Sequence, residues 1–309
     1  MNESKETELI DIDEVLKTIS HVEATPEKLT SITDESGFMH LSVELMKETA
    51  SIVALAAGVL PPGSEKWNRD QAVVGGNFVR LAKLLSAHLD QVCQKRQETA
   101  FIFSRLLFEN LVNIKFLIKN ASPDLFDSYV RYALRHERKL RDVIHTNILA
   151  RKGEKWHIEN RMLNSIERYA TRSGVKIDDI PPNKPKDWGD KNFYEKTKDV
   201  GLESTYIALY GGSSRSIHGT WTDILDHHLE FSEDGFSPSF EWGRPRPQQI
   251  LPIAQLILET TREFLLYVGS APDALIINRI DSIFANVKAT DSALESWLSS
   301  LSDPKVNQQ

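Results

Sequence analysis

Phe101–Ile118 reads FIFSRLLFENLVNIKFLI and contains neither glycine nor proline. Its apolar residues fall around most of a helical circumference. Such a helix lies inside a bundle, because a surface helix needs an apolar stripe on one side only. Three polar residues, Arg105, Glu109 and Asn113, recur at i, i+4 and i+8, with Asn110 beside them. At about 100° per residue they form one stripe on an otherwise apolar rod. A charge taken out of water must be paired or face a cleft, since leaving it alone costs several kcal/mol. The stripe is therefore either an Arg105–Glu109 pair that sets helix register or one wall of a polar pocket.

Helical periodicity extends outward in both directions. It runs from about Asp70 to Asn120, as one helix or as two joined near Lys95–Thr99, and an earlier helix spans about Phe38–Leu60 before Pro61-Pro62-Gly63. Ser122-Pro123 reads as an N-cap with proline in the first turn, opening a helix to about Arg151. Further helices are expected over about Lys155–Arg172, from Asn192 to a break at Gly211-Gly212, from Ser213 or Ser214 to Glu230, and over about Gln248–Val268 and Pro272–Val287. A short one follows near Leu294–Leu301. No strand pair is expected. The loop from Phe231 to Pro247 is aromatic enough to pack on the body.

The fold expected is thus all-α, a multi-helix bundle. Residues 1–35 form an acidic N-terminal arm with a short helix, 36–302 a single helical domain with its core at about 70–268 and loops near 174–190 and 231–247, and 303–309 a tail. Composition agrees, with 40% hydrophobic and 26% charged residues. The one cysteine, Cys93, allows no intrachain disulfide and no cysteine-based zinc site. With a polar, acidic start and no long apolar run, a cytoplasmic location without membrane contact is expected. The net charge of −7 is unevenly spread. Arg131–Arg172 holds eleven Lys/Arg against five Asp/Glu, a local +6 that leaves −13 elsewhere. A basic face on an acidic body can serve nucleic acid.

The sequence lacks G-x-x-x-x-G-K-[ST], a G-x-G-x-x-G after a strand, H-E-x-x-H and G-x-S-x-G. The common nucleotide, zinc-protease and hydrolase chemistries lose their usual marks. Asp223, Asp226, His227 and Glu230 can share a helical face, but a charged solvent face is the simpler account, so no metal or cofactor is expected.

A second constellation lies in Tyr206–Glu230, YIALYGGSSRSIHGTWTDILDHHLE. A Gly-Gly break and a serine cap, Ser214, would start a helix whose first turns carry Arg215 and His218. Helix N-termini favour anions, and Arg215 adds charge there. His218, Thr222 and Asp226 would line one flank of an apolar face made by Ile217, Trp221, Ile224 and Leu225. An imidazole on that border can move protons near neutral pH.

R-x-x-x-E-N at Arg105, Glu109 and Asn110, followed by Tyr210, Ser214 and His218-Gly219, resembles a family of bacterial helical proteins similar to HEPN proteins, the bundles of toxin–antitoxin and anti-phage systems. The similarity covers roughly Phe78–Tyr267. It implies a metal-independent endoribonuclease acting as a homodimer, with R-x(4–6)-H as its motif. Here Arg215 and His218 are separated by only two residues, a departure from that pattern. The formal spacing occurs instead at Arg131/His136, the second choice of site, and at Arg138/His145 and Arg151/His157. On this resemblance His218 is the general base or acid, Arg215 and Arg105 hold the scissile phosphate, and Glu109 orients Arg105. Tyr210, Asn110, Asn113 and Ser214 complete the binding surface. The alternative is a non-catalytic module that uses the same pocket for a nucleotide, nucleic acid or partner protein.

Overall fold

The computed structural model describes residues 12–183, 187–211, 216–269 and 274–302. They form an all-α, multi-helix bundle with one small hairpin. The helices are α1 (Ile12–Thr18), α2 (Pro26–Thr30), α3 (Glu35–Ala57), α4 (Arg69–Cys93), α5 (Gln97–Lys119), α6 (Pro123–Ala150), α7 (His157–Arg172) and α8 (Phe193–Asp199). A turn at Glu203–Thr205 leads into a π-helix, Tyr206–Gly211. α9 (Trp221–His227), strands β1 (Leu229–Ser232) and β2 (Gly235–Pro238), α10 (Pro247–Val268) and α11 (Ala274–Ser302) follow. None of the described helices is long and apolar enough to cross a membrane.

The helix ends follow local chemistry. Asp34 accepts the Gly37 N–H at 2.8 Å and caps α3. Ser122 accepts the Leu125 N–H at 3.2 Å and, with Pro123, opens α6. The expected joint between α4 and α5 lies at Gln94–Arg96, where Lys95 turns the chain with φ of 58°.

Contacts divide the chain into two compact units. The first takes residues up to Glu65, Phe78–Leu111 and those from Ser204 on. Within it α3, α10 and α11 pack on one another and bury Leu45, Ile52, Ile253, Ile257, Ile283 and Val287. Phe78 stacks on Phe264 with centroids 4.0 Å apart. Burying such a side chain is worth roughly 1.5–3 kcal/mol. The second unit takes Lys66–Asn77 and Val112–Glu203. There α6 and α7 enclose Leu134, Ile144, Ile148, Ile166 and Ile177. Trp188 packs edge-on to both Phe116 and Tyr129.

Four expectations are corrected. α11 runs unbroken to Ser302, because the Thr290 hydroxyl bonds back to the Asn286 carbonyl at 2.8 Å inside the helix rather than capping a new one. The expected helix to Glu230 is split: Gly219 takes φ of 55°, and the Thr220 side chain caps a new start at Trp221. Glu230 then lies on β1, which pairs antiparallel with β2 around Glu233-Asp234. Phe231 and Phe236 of this hairpin are exposed rather than packed on the body, whereas the later half of the expected loop does pack, with the Gly243 carbonyl accepting the Gln97 N–H at 3.0 Å and Trp242 lying 5.4 Å from the Arg96 guanidinium. Within the N-terminal arm, the backbone at Ile19, Val22 and Ala24 is held by side chains of α3 and α11. The Glu48 carboxylate, 1% exposed, accepts the Val22 N–H at 2.9 Å and pairs with His21 and Arg279. The Arg279 Nε lies 2.6 Å from Glu48 Oε1 without the alignment of a hydrogen bond, so charge holds that contact, while its Nη2 donates to the Ile19 carbonyl at 2.8 Å.

Candidate functional site

In the first unit, the polar stripe of α5 meets the π-helix. Arg105 Nε donates to Glu109 Oε1 at 3.0 Å, the i,i+4 pair that the spacing predicts. Its Nη2 donates to the Tyr210 hydroxyl at 2.9 Å, and the guanidinium carbon lies 4.1 Å from that ring's centroid. Tyr206 stacks on Tyr210 at 4.8 Å and 20°. Residues four apart share a helical side, and here the π-turn sets both rings beside the guanidinium. Only 11% of the Arg105 side chain is exposed, and Glu109 is more open. Burial and the neighbouring Tyr210 raise the Tyr206 pKa, an effect the nearby Arg105 charge opposes.

Asn110 is fully buried and accepts from Arg80 Nη1 at 2.9 Å, which fixes α5 to α4 inside the unit. Asn113, the stripe's third member, belongs to the second unit. Ser214 and Arg215 lie outside the described residues. His218 is exposed and makes no hydrogen bond or ion pair among the described residues. Because the chain breaks at Gly219, the expected continuous face through Thr222 and Asp226 does not form, and Ile217 and Trp221 stand exposed.

Residues 71–236 match the profile of a family of unknown function, DUF5677. The chain belongs to DUF5677. No curated protein and no solved structure matches it. The DUF5677 segment begins in α4, ends in β2 and contains the whole Arg105–Glu109–Tyr206–Tyr210 cluster.

The three formal R-x(4–6)-H pairs of the DUF5677 segment lie in the second unit. Their arginines are engaged by carboxylates: Arg131 with Asp127 at 2.5 Å, Arg138 with Asp142 and Asp178, and Arg151 with Glu159. His136, His145 and His157 are exposed. Among the described residues no group of three or more His, Cys, Asp or Glu is placed to hold a metal.

Sequence reasoning passed over three polar groups of this DUF5677 chain. His88 is 1% exposed in α4, with Nε2 3.1 Å from Ser104 Oγ. Ser104 donates its proton to the Ala100 carbonyl at 3.0 Å, so it can only accept from His88. Nδ1 is then a bare acceptor with no partner among the described residues, and burial pushes the imidazole pKa down to about 4. In the second unit, buried Lys196 holds its ammonium 3.5 Å from the Trp188 ring centroid. Desolvation lowers its pKa to about 8 against the opposing charge of Asp187. The third group is the Glu48 cluster. It flanks a cavity of about 390 Å³ that Lys17, His21, Arg279 and Ser282 help line, none of them in the Arg105 cluster. The Arg105 cluster joins groups of two elements through directed contacts, whereas in the cavity wall Arg279 and His21 share the one carboxylate of Glu48.

Proposed function

We propose that this chain is a non-catalytic helical module that binds RNA, with Arg105, Tyr210 and Tyr206 as its recognition surface and a HEPN-like defence or toxin system as its setting. The observation that carries this is the guanidinium seated on a stacked tyrosine pair. A base can stack on such a platform while the cation takes up the adjoining phosphate charge, a sequence-tolerant mode of single-strand binding. Glu109 holds the guanidinium in orientation, and its partly open position lets an incoming phosphate compete for Arg105. Among the described residues His218 has no neighbour that fixes its tautomer and aims it, as a general base needs.

The second reading, a metal-independent endoribonuclease with His218 as base and Arg105 and Arg215 on the phosphate, is favoured by one fact. Tyr210, just ahead of the segment that carries Arg215 and His218, does reach Arg105.

Fluorescence anisotropy with labelled single-stranded RNA in EDTA separates the two. Stable binding without cleavage, weakened about tenfold or more by Arg105→Ala and by Tyr210→Ala, supports the module. Cleavage by the parent chain that His218→Ala abolishes supports the nuclease. An absence of binding by the parent chain refutes both.

A further inference from the structure

The hairpin carries an aromatic face in water. Phe231 and Phe236 are cross-strand partners with ring centroids 5.2 Å apart, and Trp221 of α9 meets Phe236 edge-on at 5.8 Å. Strand alternation sets Leu229 and Pro238 on that same face. Phe231 is 75% exposed and Phe240, just beyond β2, 90%. Clustered apolar surface of this kind marks an interaction site, whereas a lone exposed ring does not. Every formally charged residue from Leu229 to Gly243 is acidic: Glu230, Glu233, Asp234 and Glu241, all exposed.

The second unit presents the opposite character. Ile158 and Tyr169 on α7 are exposed and eleven residues apart, which brings them within about 20° of each other around the axis. Arg161, Arg168 and Arg172 are exposed around the same side, and none of them is ion-paired with a carboxylate among the described residues. Arg168 donates only to the Ser165 hydroxyl, at 3.0 Å. Glu167 projects from the far side of the helix by its spacing from Ile158.

We propose that the acidic, aromatic hairpin of one copy docks on the basic face of α7 of a second copy. Apolar side chains would meet apolar side chains, and carboxylates would meet guanidinium groups that have no other carboxylate. The four carboxylates of the hairpin segment, Glu233 and Asp234 at its turn among them, repel nucleic acid, and RNA bound to α7 alone would leave the hairpin uncovered. A second copy satisfies both faces with one contact. The proposal is independent of the Arg105 reading.

The test is sedimentation of the full chain at low and high salt, with circular dichroism as a check that each variant keeps its helix content. The parent chain should show a mass above the 35.1 kDa of one copy at low salt, and salt should lower it. Glu233→Lys with Asp234→Lys should weaken self-association about tenfold or more, and Arg161→Glu with Arg168→Glu should do the same. A chain carrying all four changes should associate again, because the charges are exchanged rather than lost. A parent chain that stays monomeric overturns the proposal, as does either reversal without effect or a four-change chain that does not recover. Loss of RNA binding in the α7 variant at unchanged mass would assign that face to nucleic acid instead.

Discussion

Lowering the pH should destabilise the first unit through His88. In the fold its neutral imidazole donates its Nε2–H to the Ser104 oxygen and leaves Nδ1 bare, so a second proton would place a charge where none of the described residues offers an acceptor. The folded pKa of about 4 lies below the ordinary 6.5. The unfolded chain therefore binds more protons between those values. The contribution is complete above about pH 6.5 and drains away as pH falls towards 4. Full separation of the two values corresponds to about 3 kcal/mol, of which about 2 kcal/mol is lost between about pH 7 and pH 5. That is a large part of the stability of an ordinary domain. The assay is urea unfolding followed by tryptophan fluorescence over this pH range, for the parent chain and for His88→Gln. The glutamine variant starts less stable but lacks the histidine's slope. If the two stability profiles run parallel, the buried neutral imidazole is wrong.

Glu48→Ala should release the N-terminal segment. It removes the acceptor of the Val22 N–H and the counter-charge of Arg279 and His21, at a cost of about 2 kcal/mol or more. Limited proteolysis should then cut between α1 and α2, and an unchanged digestion pattern would refute the docking. Gly189→Ala should destabilise the second unit by about 2 kcal/mol, because the residue has φ of 68° and a Cβ would sit 3.0 Å from Leu125 and 3.1 Å from Phe116. Denaturant unfolding reads this, and a stability equal to the parent's would contradict the packing around Trp188.

The long elements were legible because local signals agree with tertiary demand. Leu107, Phe108, Leu111, Val112, Ile114, Phe116 and Leu117 lie around most of α5 and are all buried, as an apolar rod requires. The Arg105–Glu109 pair follows from spacing alone. Its meeting with Tyr210 depends on a partner 105 residues away, and the repeated tyrosine ahead of Gly211-Gly212 was its only trace. What stayed hidden depends on single turns or on distant partners. The hairpin's signal, Asp234-Gly235, sits among prolines and glycines that read equally well as loop. The break at Gly219 rests on one left-handed residue and one capping threonine. His88 has no mark in sequence, since LLSAHLD is ordinary helical patterning whichever way the ring points. Glu48 looks like any outward glutamate until a strap of backbone is laid over it.

That strap has a consequence for the order in which the protein matures. Val22 and Ala24 are bonded both to and from Asn286, and Ile19 to Arg279. On a translating ribosome, therefore, the earliest docked residues must wait for α11, made more than two hundred residues later, before their lodging exists. Until then Glu48 remains without its arginine, and the backbone from Ile19 to Ala24 has no α11 side chain to hold it.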